Sequence, residues 1–131
     1  MPKRLPAVIA LGLTCLSMTA CANEADGKAA AAALAFFKAT EAQCNDYAKA
    51  IGQPELDPSL FAAAKTEDVL SEFGKQFVQV VDGAGNLLYV NLDDERVQGG
   101  VRPDEIIPEP YLRSCPAGLY LGISYELEKQ G

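Results

Sequence analysis

Chemistry in this chain has to come from cysteines and carboxylates, because it contains no histidine. That removes Ser-His-Asp and Cys-His catalysis and the usual zinc sites. No G-x-S-x-G, P-loop or G-x-G-x-x-G is present, so no cofactor is implied. Asp93, Asp94 and Glu95 form the only run of three acidic residues. Such a run can hold a cation or act as acid and base, but it equally suits a solvated strand end. Arg102, Asp104 and Glu105 flank Pro103, and Glu109 stands between Pro108 and Pro110. The prolines stiffen this stretch and lower its ordering cost on binding. We therefore expect these seven charged residues to face a partner, with no catalytic residue and no metal ligand. Asp82-Gly83-Ala84-Gly85-Asn86 superficially looks like a calcium loop. An EF-hand needs an oxygen ligand at its third position and glycine at its sixth; Ala84 and Leu87 stand there, so the stretch reads as a hairpin turn.

Cys44 and Cys115 are the two cysteines of the folded part, beyond the N-terminal leader and tether described below. In an exported chain an even pair reads as a disulfide. It would close a loop of about 70 residues and stabilise the domain by about 4 kcal/mol. There is no C-x-x-C, which argues against a redox pair.

The elements that must position these groups read as helices first and strands after. Lys28 to Ile51 is the strongest helical segment, with an alanine run at Ala29 to Ala33. Ala30, Leu34, Phe37, Cys44, Ala48 and Ile51 recur at helical spacing, while Lys38, Gln43, Asp46 and Lys49 fall away from that face. Gly52 and Pro54 supply the stop. Asp57-Pro58 starts a short helix. Thr66, followed by Glu67 and Asp68, is expected to cap another helical turn ending at Gly74. From Lys75 the pattern alternates, giving a strand, the Asp82 to Asn86 turn and a second strand at Leu87 to Leu92. Arg96 to Pro110 reads as a long connection, with a helical turn at Tyr111 to Ser114. Leu119 to Leu127 alternates cleanly and predicts a last strand, with Tyr125 on the apolar face and Tyr120 on the other. The expected class is α+β, a long helix packed on an antiparallel sheet of three or more strands. The disulfide would pin that helix to the approach of the last strand.

Ahead of the domain, Lys3 and Arg4 precede a mostly apolar stretch from Leu5 to Met18, followed by small residues. This is the layout of a secretory signal, and it is too short for a comfortable membrane span of about 20 apolar residues. Residues 1–20 are therefore expected to be removed, leaving a tether at 21–28 and one domain at 29–131. Two cuts fit the residues: one before Cys21, and an A-x-A cut after Ala20-Cys21-Ala22 that releases a soluble protein. Loss of Lys3 and Arg4 takes 11 basic residues to 9 against 18 acidic, a formal charge of −9. Such a chain repels nucleic acid and anionic lipid and attracts a basic partner protein at a salt-sensitive rate.

Met18-Thr19-Ala20-Cys21 resembles the lipobox of bacterial lipoproteins. The resemblance implies lipidation at Cys21 and, with Ala22 rather than aspartate next, the periplasmic face of the outer membrane. More than one acyl chain would hold the anchor firmly, at about 0.8 kcal/mol per buried methylene. The plan also resembles small exported lipoproteins with one disulfide, such as secretion pilotins or inhibitors and immunity proteins against cell-wall hydrolases. That likeness rests on size, leader, cysteine pair and the Gly118 to Glu128 strand. It implies a non-enzymatic protein-binding module; a periplasmic small-ligand or cation binder and a structural envelope lipoprotein are the alternatives.

Overall fold

The computed structural model describes residues 18–102 and 104–122, with side-chain surroundings from residue 25 onward. The leader up to Ser17, Pro103, Tyr125 and most of the expected last strand lie outside the described residues.

Helix α1 runs over Met18–Ile51. Its buried stripe is Ala29, Ala33, Phe37, Thr40, Cys44 and Ala48, spaced three or four apart as a one-faced helix requires. Ile51, expected on that face, is 47% exposed. Thr40 takes a place in the stripe because its hydroxyl is satisfied, donating to the Phe37 carbonyl at 2.6 Å. The helix ends at Gly52, which has φ +75°. Gly52 N–H donates to Lys49 O and Gln53 N–H to Ala48 O, the paired bonds of a Schellman stop.

Helix α2 is a short piece, Ser59–Ala62, and Asp57 Oδ1 accepts from both the Ser59 amide and hydroxyl at 2.9 Å. Four strands follow: β1 Lys65–Glu72, β2 Lys75–Val81, β3 Leu87–Asn91 and β4 Arg96–Gln98. They form one antiparallel meander in chain order. Helix α3, Glu109–Ser114, follows the sheet.

Several expectations change here, and Arg96–Gln98, expected to open the long connection, is strand β4. Thr66 to Glu72 is strand β1, not a helical turn. Val69 pairs with Val78 while Thr66 pairs with Val80, so Glu67 and Asp68 together oppose Gln79 in a bulge. The extra residue breaks the alternation that would have marked a strand. Gly74 is not a helix stop but half of a two-residue turn, with Phe73 at φ 53° and Gly74 at φ 73°, the left-handed pair that hairpins favour. Leu119 lies in a turn, Tyr120 makes only an isolated parallel bridge to Val97, and Leu121 and Gly122 are helical. The described part of the expected last strand is therefore not a strand. It covers the β4 edge instead, with Val97 N–H donating to Leu119 O at 2.7 Å.

The core lies between α1 and the inner face of the sheet. Val78, Val80, Leu88, Val90 and Val97 meet Phe37, Phe61, Tyr111 and Tyr120 there. The Phe37 and Phe61 rings sit 5.0 Å apart, and Tyr111 stacks on Tyr120 at 5.8 Å. Tyr120, expected on the polar face, is fully buried; its hydroxyl is 2.7 Å from that of Thr40. The Cys44–Cys115 disulfide is formed, with Cα atoms 4.3 Å apart across 71 residues. It ties the middle of α1 to the end of α3 rather than to a strand.

Candidate functional site

The Asp82 to Asn86 segment is the hairpin turn its composition predicts. Asp82 is buried, and its carboxylate accepts from the Ala84 and Asn86 amides, the Asn86 side chain and, at 2.5 Å, the Tyr111 hydroxyl. Every oxygen is engaged inside the protein, so the turn is structural. Gly83 is required there. A Cβ on it would fall 2.0 Å from the Ser59 carbonyl oxygen, and its N–H donates to Leu60 O at 3.0 Å. Burial raises the Tyr111 phenol well above its ordinary range, with the hydrogen bond to Asp82 adding to the shift. Burial likewise raises Tyr120.

The expected partner-facing residues divide. Asp93 accepts from the Gln76 amide at 2.7 Å, and Glu95 turns the chain at φ 53°. Arg102 Nε lies 3.8 Å from Asp104, while Glu105 accepts from the Arg102 amide at 3.1 Å. Glu109 pairs with Arg113 one turn along α3. These groups close turns and cap local structure. Asp94 lines a cavity that the other six do not line.

That cavity lies on the outer face of the sheet, away from α1, and has a volume of about 320 Å³. Alternation places it: Val78, Val90 and Val97 pair across three strands on the inner face, while Phe77, Asn91 and Arg96 pair across the same strands on the outer one. Phe77 is 2% exposed yet stands apart from the main core. Asn91 and Gln98 are also buried. The Asn91 amide donates to Asp94 at 3.1 Å and to Gln98 at 3.0 Å, and Gln98 donates to Gly100 O. Lys75 reaches Asp94 at 2.6 Å. The Lys75 hydrogen bond holds the Asp94 carboxyl below the usual carboxylate range.

Phe73 stands at the rim of the cavity, in the β1–β2 turn. It is 71% exposed and holds a left-handed backbone that a bulky side chain rarely adopts. Reading the sequence missed Phe73, Lys75, Phe77 and Arg96. The signal for Phe73 is its place before Gly74, between two segments that pair; no comparable local signal exists for a row assembled from three strands. Among the described residues, no group of three or more His, Cys, Asp or Glu is placed to hold a metal ion, and no helix is long and apolar enough to cross a membrane. The chain matches no protein-family model, no curated protein and no solved structure.

Proposed function

We propose that this chain is an exported lipoprotein, anchored through Cys21 at the periplasmic face of the outer membrane, that acts as a non-enzymatic protein-binding module of the inhibitor, immunity or secretion-assembly type. Its recognition surface is the outer face of the sheet, with Phe73 at the tip. One observation carries this reading: Phe73 combines a strained backbone, 71% exposure and a position on the rim of a cavity. Folding gains little from an aromatic ring in water, and the left-handed conformation costs on the order of 1 kcal/mol. Asparagine or glycine would serve the turn better. A phenyl ring kept there is explained by a partner that buries it, as aromatic residues anchor the centres of interfaces. The acidic surface adds steering toward a basic partner.

The test is capture. Wild-type protein and Phe73→Asn are immobilised and exposed to envelope extract at low and high salt. The reading expects a discrete protein retained by the wild type, weakened at high salt and lost with Phe73→Asn. Retention of the same protein by both chains would overturn it. The intact mass of the mature protein tests the anchor: an acylated chain beginning at Cys21 supports it, and a chain beginning at Asn23 removes it.

A further inference from the structure

The outer-face cavity has a charge pattern that narrows what it takes, on the premise that it is the binding surface proposed above. Lys75 is neutralised by Asp94. The Asn91 amide has two acceptors and Gln98 donates to a backbone carbonyl. Arg96 is left over. Its Nε is sealed from solvent, and among the described residues it has no hydrogen-bond partner and no carboxylate within ion-pair distance. The charge of Arg96 is felt by Asp94, but that carboxylate is already held by Lys75, and a partly desolvated cation short of a paired anion is unfavourable until one meets it. The terminal nitrogens of Arg96 are the groups left to do so. The wall around Arg96 is mixed: Phe73, Phe77, Val101 and Leu121 supply its apolar part, beside Lys75, Asn91, Asp94 and Gln98.

Lys75 and Arg96 share the one carboxylate of Asp94, and the net single positive charge that remains matches a monoanion better than a phosphate ester, which carries close to two charges. At about 320 Å³ the cavity is at the small end of ligand sites, so the anion and an apolar group must enter together. Neighbouring residues of an extended peptide point to opposite sides, and residues two apart are separated by about 7 Å. Only the last residue of a polypeptide carries a carboxylate and a side chain on one carbon. A free amino acid would add an ammonium group, and Asp94, the one carboxylate among the residues lining the cavity, is already held by Lys75. We infer that the cavity takes the apolar C-terminal residue of a partner polypeptide. The carboxylate sits on Arg96, and the side chain rests against Phe77, Val101 and Leu121.

The test titrates the folded, disulfide-bonded protein with acetyl-Gly-Ala-Leu bearing a free carboxylate and with the same peptide amidated, followed by NMR. The free acid is expected to shift the amides of Phe77, Asn91 and Arg96 and to bind about tenfold tighter than the amide, the ratio one charge-assisted contact supplies. Arg96→Gln removes that preference. Val101→Trp fills the cavity, leaves Arg96 in place and abolishes acid binding, which keeps the test open should Arg96→Gln not fold. Equal affinity for acid and amide, or a preference that survives Arg96→Gln, overturns the inference. Should the acid fail while Phe73-dependent capture persists, the inference alone falls; should both fail, the binding reading falls with it.

Discussion

On the inner face of the sheet, Val78, Val80, Leu88, Val90 and Val97 meet the helix in an apolar core closed by a disulfide. One residue along each strand, on the outer face, stand Phe77, Asn91, Gln98 and Arg96, with two buried amides and a guanidinium nitrogen that has no hydrogen-bond partner among the described residues. The inner face excludes water throughout; the outer face does so only at Phe77, Asn91 and Gln98. The inner face gains from apolar area and satisfies its few polar groups, such as Thr40 and Asp82, in full. The outer face keeps buried polar groups where aliphatic side chains would fold as well. Stability explains the first face. On the reading proposed above, the second serves a partner.

The comparison can be broken most forcefully from the inner side. Replacing Cys44 and Cys115 with serine should lower stability by about 4 kcal/mol, read from denaturant midpoints, because the loop constraint on the unfolded chain is lost. Binding by whatever remains folded should be unchanged, since neither cysteine lines the cavity. Next in size is Tyr111→Phe, which strips the buried Asp82 carboxylate of a donor and should lower stability by about 1–3 kcal/mol. The same tyrosines set an alkaline limit. Their folded pKa values are raised, whereas unfolded phenols titrate near about pH 10. Their contribution is therefore complete below that pH and is lost as pH rises toward the folded values. The phenolate absorbance of Tyr111 and Tyr120, isolated by comparison with their phenylalanine variants, should appear together with unfolding rather than before it.

Effects on the outer side should be smaller in stability and larger in binding. Phe73→Asn should raise stability, by on the order of 1 kcal/mol, as the turn loses its strain, while partner retention disappears. The smallest effect belongs to Asp94. Its folded pKa is lowered by Lys75, so its contribution is present above the ordinary carboxylate range and lost as pH falls through the folded value. Asp94→Asn should flatten the acid limb of the stability curve slightly, checked by midpoints measured against pH.

How much was legible in the sequence follows the same division. The long helix, the β2–β3 hairpin, its Asp82 turn and the Cys44–Cys115 pair announce themselves through local periodicity and composition. Strand β1 hides because its bulge at Glu67 and Asp68 interrupts the period, while Thr66 mimics a helix cap. Leu119 and Tyr120 mislead in the opposite way. Their alternation is clean, yet Tyr120 is drawn into the core by stacking on Tyr111 and by the Thr40 hydroxyl. The outer cavity was legible only at Asp94. Phe77, Asn91 and Arg96 meet because strand register aligns them, and register is a non-local property that no single segment encodes.

The central claim is that the outer face exists for a partner, and retention of envelope protein by wild type and Phe73→Asn, compared side by side, tests it most directly. The account predicts a retained protein with the wild type and none with the variant, although the variant folds at least as stably. Equal retention by the two chains would contradict it.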